Sequence, residues 1–224
     1  MNVLVACEES QRVCTAFRNK GHVAFSCDII DCSGGHPEWH IKRDVLEIIN
    51  GDCVFNTCSC HLYILNDEWD MIIAHPPCTY LTVSGNRWFN VERYGDMARE
   101  RIKLRKDAIE FFMAIYNAKC DKIVIENPIG VMSTELRKPD QIIQPWMFGN
   151  NARKSTCLWL KGVEPLIPEV NEEPELEWFE WLDKNGKRKR QPLWYYQALN
   201  SGETSKVRSK TFPGIARAMS EQWG

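Results

Sequence analysis

A cysteine behind two prolines sits in the stretch AHPPCTYLTVSG, residues 74–85, directly after the apolar run WDMII. Proline fixes its own φ, donates no amide and pushes the residue before it toward extended geometry. Pro76 and Pro77 are therefore expected to end a strand abruptly and to leave Cys78 on a stiff loop. A packed structural thiol has no need of that mounting, whereas a nucleophile must be held rigidly at the carboxyl edge of a sheet. A carboxylate, Glu126, closes the β-branched run DKIVIENP at 121–128. Thiol and carboxylate brought to one edge make an arrangement for covalent catalysis with an acid partner.

The elements that must position them alternate. NVLVA (2–6) has the length and β-branching of a buried parallel strand, and SQRVCTAFRNKG follows with helical spacing and a closing glycine. HVAFSCDI (22–29) reads as a second strand ending in Asp28, and DVLEIIN with its surroundings as a third unit. WDMIIAHPPC then leads to a long helix from about Asp96 to Ala118, whose Met97, Ile102, Ala108, Ile109, Phe112 and Ile115 form one apolar stripe. DKIVIENP and STCLWLKG (155–162) supply further strands. The pattern predicts an α/β fold, a mainly parallel sheet with helices on both faces. Asp28, Cys78 and Glu126 would all fall at its carboxyl edge. Residues 1–224 are expected to form one domain, with a hairpin inserted over 51–68 and a small aromatic and basic appendage over 163–205.

Net charge is −2, so any nucleic-acid partner must be held by local basic segments; RERIKLRK (99–106) and KNGKRKR (184–190) are the two candidates. No apolar run reaches the roughly 18 residues of a membrane span, and MNVLVACEES lacks a basic stretch ahead of a longer apolar one. Ten cysteines scattered through strands, helices and loops suit a reducing cytoplasm better than a disulfide framework. Cys53, Cys58, Cys60 and His61 place four potential metal ligands within nine positions, but Cys58 and Cys60 are too close for the usual zinc knuckle. HPPC lacks the second cysteine three positions on that nucleobase deaminases carry.

A dinucleotide fold needs a glycine-rich turn after its first strand, where pyrophosphate approaches bare backbone. Here that loop is CEESQR, and its Glu8 and Glu9 would repel phosphate while suiting an ammonium or sulfonium charge. Asp28 is placed for ribose hydroxyls. A cationic nucleoside such as S-adenosylmethionine fits both features.

HPPCTYLTVSG resembles the Pro-Cys loop of DNA cytosine-5 methyltransferases, and IVIENP resembles their Glu-Asn strand end, in the family's order. NARKSTCLWLKG is similar to the family's basic strand start and SKTFPGIARAMSEQW to its closing helix. The wording AHPPCTYL, ENPIGVMST, KPDQIIQPW and CLWLKG resembles a compact, phage-associated branch. The resemblance implies a class I (Rossmann-like) S-adenosylmethionine-dependent methyltransferase fold and methyl transfer to carbon 5 of cytosine in DNA, with the base flipped out of the duplex. It implies Cys78 as nucleophile, with Glu126, Asn127 and Arg153 completing the catalytic set. Cys7, Glu8, Ser10, Asp28, Asp44 and Pro76 are implied at the cofactor, and Ser84, Arg87, Lys187, Arg188 and Arg190 at the nucleic acid. A partly buried Glu126 is expected to have a raised pKa and to bring the proton that the ring needs once Cys78 has added to carbon 6. Asp44 serves equally well as a helix start, and Trp178, Trp181 and Trp194 suit packing more often than base stacking. The chain departs from the family in its first loop, in the single Arg153 of its strand start and in its short recognition segment. A catalytically silent nucleic-acid-binding protein, and a methyltransferase acting on RNA, single strands or nucleotides, therefore stay open.

Overall fold

The computed structural model describes residues 1–224. In chain order the elements begin with β1 (Asn2–Ala6), α1 (Arg12–Asn19), β2 (Val23–Asp28) and β3 (His40–Lys42). The hairpin β4 (Cys53–Asn56) and β5 (Leu62–Leu65) follows, then β6 (Met71–Ala74), α2 (Val91–Tyr116), β7 (Ile123–Pro128) and α3 (Met132–Glu135). The last part comprises β8 (Gln141–Ile143), β9 (Thr156–Lys161), the hairpin β10 (Trp178–Leu182) and β11 (Arg188–Pro192), α4 (Leu193–Asn200), α5 (Thr204–Ser209) and α6 (Pro213–Gln222).

Seven strands form one sheet in the order β3-β2-β1-β6-β7-β9-β8. The first five run parallel, and β9 is antiparallel to both β7 and β8. Strand order reverses between β1 and β6, the kind of crevice where α/β sheets hold ligands. The strands of the sheet centre are buried on both faces, which is why they read as continuous apolar runs without alternation. Leu4, Ile72 and Ile125 pack on one side with Phe112 and Ile115 of α2, while Val5, Ile73 and Val124 pack on the other with Phe17 of α1 and Met219 of α6. Beside α2 the first face is covered by the β4–β5 hairpin. There Phe25 of β2 meets Phe55 and Tyr63 at ring separations of 5.1 and 4.7 Å. No helix is long and apolar enough to cross a membrane.

The third unit consists of the strand HIK and, directly after it, a short 3-10 turn at Val45–Glu47, which Asp44 starts by accepting from the Leu46 amide at 3.0 Å. A side chain that caps a turn competes with the extended pairing that the β-branched residues favour. STCLWLKG is a strand, but it runs against its neighbour β7. Within α2 the backbone breaks at Gly95, φ 53°, so that the regular helix begins at Asp96.

Candidate active site

Strand register alone brings four site residues level. Ala6 pairs with Cys27 on one side and with Ala74 on the other, and Ala74 pairs with Ile125. One residue further along each strand stand Asp28, Cys7, His75 and Glu126, a row across the carboxyl edge of the sheet. Side chains alternate along a strand, so His75 leaves β6 on the face of Ile73 and Glu126 lies on the face of Val124, which is the same face. His75 Nδ1 is 2.9 Å from Glu126 Oε2, and both side chains are only 9% exposed.

The Pro-Cys loop is fastened to this row. Asn127 Nδ2 donates to the Pro76 carbonyl at 2.8 Å, joining the end of β7 to the loop after β6. The amides of Leu81 and Thr82 both donate to the Cys78 carbonyl at 3.0 Å, and Val131 N–H donates to the Leu81 carbonyl at 2.9 Å. Gly130 lies so close to this loop that a Cβ there would meet the Leu81 carbonyl oxygen at 2.1 Å. From α2, Arg105 donates to the Tyr80 carbonyl and to Asn86 Oδ1, each at 2.8 Å, and lies 3.4 Å from the Phe89 ring centre. The basic segment 99–106 is thus partly a brace for the Cys78 loop and not simply a free cationic surface.

The electrostatics differ from expectation at Glu126. Burial opposes its charge, but Lys154 and the His75 hydrogen bond outweigh burial and hold the carboxyl at about 2. The expected raised pKa is therefore corrected: Glu126 is held in its charged form. Burial disfavours the imidazolium, yet Glu126 and then Glu8 raise the His75 pKa, against the opposing charge of Lys154. Cys78 is a thiol at rest, pushed up by burial and by Glu126, with Lys154 and Arg208 favouring the thiolate. Lys154 reaches the site because antiparallel β9 starts at this edge, where Thr156 pairs with Pro128. Its Nζ donates to the Arg208 carbonyl at 3.0 Å, which ties α5 to the same corner.

Arg153, expected in the catalytic set, is instead exposed and lies 3.6 Å from Glu173. Adjacent residues in an extended segment point to opposite sides, and Lys154 takes the inward position. Of the cofactor candidates, Pro76 is buried in the loop, and Asp28 is half-buried, its pKa raised by burial against a 3.3 Å hydrogen bond from the Ile30 amide. Asp44 is exposed and caps its turn. Glu8 is buried, and its two oxygens accept from the Val13 and Cys14 amides at 2.7 and 3.1 Å, so this carboxylate serves the start of α1. Burial pushes the Cys7 thiol far up, helped by Asp28, Cys27 and Asp44. Cys7 and Gln11 take φ of 58° and 57°, a left-handed geometry that usually calls for glycine. Ser10 is half-buried between them, under the loop that holds Gly34. Glu9 Oε1 is buried and has no hydrogen-bond partner.

Ser84 and Arg87 are exposed on the 3-10 segment Val83–Phe89 that follows the Cys78 loop, with Arg87 lying 4.6 Å from the Trp88 ring centre. Lys187, Arg188 and Arg190 are exposed on the β10–β11 hairpin, where Arg190 stacks at 4.5 Å on Trp178 and Arg188 pairs with Glu180. No hydrogen bond, ion pair or aromatic contact joins this hairpin to the Cys78 loop. Cys53, Cys58, Cys60 and His61 do not converge: the Cys53 thiol faces the Ile48 carbonyl at 3.9 Å, while His61 Nδ1 is 2.8 Å from Ser59 Oγ. No group of three or more His, Cys, Asp or Glu side chains is arranged to hold a metal ion.

His75, Lys154 and Arg208 were not singled out from the sequence. The first had a signal, since it follows one central strand as directly as Glu126 ends its neighbour. The other two depend on the direction of β9 and the path of α5. No protein-family model matches the chain, and no curated protein is similar enough to count as a relative.

Proposed function

We propose that the protein transfers a methyl group to carbon 5 of cytosine in DNA through a covalent adduct of Cys78, on a methyltransferase fold of class I type. The observation that carries this reading is the junction of the two strand ends, Asn127 Nδ2 to the Pro76 carbonyl at 2.8 Å and Glu126 to His75 at 2.9 Å, which fastens the Cys78 loop to a strand end with a buried carboxylate, one strand beyond the switch point. Carbon 5 becomes nucleophilic only after a soft nucleophile has added to carbon 6, and a thiolate suits that addition. Lys154 and Arg208 favour the thiolate. Glu126 meets the polar edge of the base, and Asn127 with Pro128 keeps the strand end rigid. S-adenosylmethionine supplies the methyl electrophile when bound.

The residues at the first crevice fit that cofactor. The orphaned Glu9 Oε1 suits a cationic group, Asp28 suits ribose hydroxyls, and Ile29 and Ile30, exposed by 71% and 53%, offer apolar surface beside them. A second reading, a catalytically silent nucleic-acid-binding protein, is favoured by one feature, the commitment of the Glu8 carboxylate to α1.

The test is covalent trapping. Wild type and Cys78→Ala are incubated with S-adenosylmethionine and 5-fluorocytosine DNA, and a denaturation-resistant adduct is sought by mass. An adduct with wild type alone supports nucleophile, cofactor and base at once. Thermal stabilisation by the cofactor without any adduct would move the substrate to RNA or nucleotides, and absence of both would favour the silent binder.

A further inference from the structure

We propose that His75 is the store of the proton that the cytosine ring borrows during the reaction, delivering it through Glu126 and taking it back. This rests on the methyl-transfer reading above and supplies what that reading lacks, an acid at the polar edge of the base. Addition of the Cys78 sulfur to carbon 6 uses the thiolate electron pair, and the displaced π electrons must be met by a proton at N3. An ionised Glu126 has none to give.

The geometry gives His75 one route. Its Nδ1 is 2.9 Å from Glu126 Oε2, in a contact that β6–β7 register favours by bringing the two residues level. Its Nε2 is buried and has no hydrogen-bond partner. The charged groups facing the ring are Glu126 on β7, Glu8 after β1 and Lys154 ahead of β9. Glu8 is bonded to the α1 amides and makes no hydrogen bond to the ring, and Lys154 has no lone pair to offer while charged. Glu126 is therefore the acceptor for the Nδ1 proton.

The protons balance as follows. The Cys78 thiol proton leaves to water, and the C6–S bond forms. The Nδ1 proton passes to the Glu126 carboxylate and from the carboxyl to N3. When carbon 5 later loses its own proton to water and the C6–S bond breaks with its electron pair returning to sulfur, the N3 proton goes back through Glu126 to His75. His75 touches neither substrate nor cofactor in this scheme and acts as a positioning residue that also supplies Glu126 with its proton.

Two measurements test it. Histidine nitrogen NMR of the free wild-type protein reads the protonation of His75 directly: both ring nitrogens protonated at neutral pH is the expected result, and a neutral ring overturns the inference. Rates of 5-fluorocytosine adduct formation against pH are then compared for wild type and His75→Gln. The variant is expected to be slower by about a hundred-fold at neutral pH, the scale of general acid catalysis. Its deficit should shrink as the pH falls and Glu126 takes a proton from solvent, a change of profile that a merely structural role would not produce. Equal rates with equal profiles would overturn the inference and leave the methyl-transfer reading intact. Absence of adduct with the wild type would remove the reaction itself, and the inference with it. Should His75→Gln fail to fold, the wild-type NMR titration decides alone.

Discussion

The strand-end row and the β10–β11 hairpin are both rich in groups that suit nucleic-acid chemistry, yet they are built in opposite ways. In the row, main-chain register places each residue: Ala6, Ala74 and Ile125 are paired, so Cys7, His75 and Glu126 come level whatever their side chains. Burial then forces the polar groups to find one another, because an unpaired buried charge is costly. In the hairpin, Arg188 is 76% exposed and Trp181 39%, and contacts such as Arg190 on Trp178 form within the surface itself. Placement by backbone predicts large, all-or-none effects of substitution. Placement on an exposed surface predicts small, graded ones.

Cys78→Ala should have the largest effect, complete loss of the 5-fluorocytosine adduct with the fold preserved, because the half-buried thiol makes no side-chain hydrogen bond. Retained adduct would place the nucleophile elsewhere. Glu126→Gln should slow adduct formation by about 10²- to 10⁴-fold. Where His75 is charged, the substitution should also destabilise the fold by about 3–5 kcal/mol, since it leaves a buried imidazolium without its counter-charge. Denaturant titration reads the second quantity, and no change in either would mean that the row is only structural. The destabilisation should depend on pH. Glu126 has its folded pKa at about 2, below the ordinary 4.5, so its contribution is full above 4.5 and is lost as pH falls toward 2. His75 has a raised folded pKa, so its contribution is full below the ordinary 6.5 and is lost as pH rises through the folded value. The difference in Tm between wild type and Glu126→Gln is thus expected to be widest between pH 4.5 and 6.5.

Gly130→Ala is next. A methyl group there would sit 2.1 Å from the Leu81 carbonyl oxygen, a main-chain atom that can move only with the Cys78 loop. A cost of about 1–3 kcal/mol is expected, with adduct formation slowed more than stability suggests, because the displaced segment carries the proposed nucleophile. If stability falls while the adduct rate per folded molecule is unchanged, the loop tolerates displacement and the contrast with the surface hairpin weakens.

How much of this was legible beforehand differs between the same regions. Pro76, Pro77 and Cys78 declared a strand end, and DKIVIENP declared another. Both elements are where the apolar runs placed them, because central parallel strands are buried on both faces and leave a continuous signal. Their adjacency was not written locally. That His75 faces Glu126, and that Lys154 replaces Arg153, follow from strand order and from the reversed direction of β9, which depend on pairings between residues far apart in the chain. The sign of the Glu126 shift was missed for the same reason: burial could be read from the run, but the imidazole and the ammonium that outweigh it could not. The three-residue strands β3 and β8 carry too few residues for any periodicity, and DVLEIIN shows a side-chain cap at Asp44 overriding β-branched preference.

The smallest effect tests the other half of the contrast. Arg190 lies exposed on β11 with its guanidinium 4.5 Å from the Trp178 ring, and the pair is worth about 0.5–1 kcal/mol at such a site. Arg190→Ala should cost the hairpin that amount of stability, should leave adduct chemistry on saturating DNA unchanged and should weaken DNA binding only modestly. If Arg190 contacts a phosphate, the dependence of binding on salt should also fall by about one counterion, and by the same amount for every sequence tried. Binding measured over a range of salt concentrations separates these contributions. A loss of adduct chemistry at saturation would couple the hairpin to Cys78, and the link would have to run through α5, whose Arg208 carbonyl is held by Lys154. Arg208→Ala would then reproduce it, since the arginine's charge is one of the two that favour the thiolate.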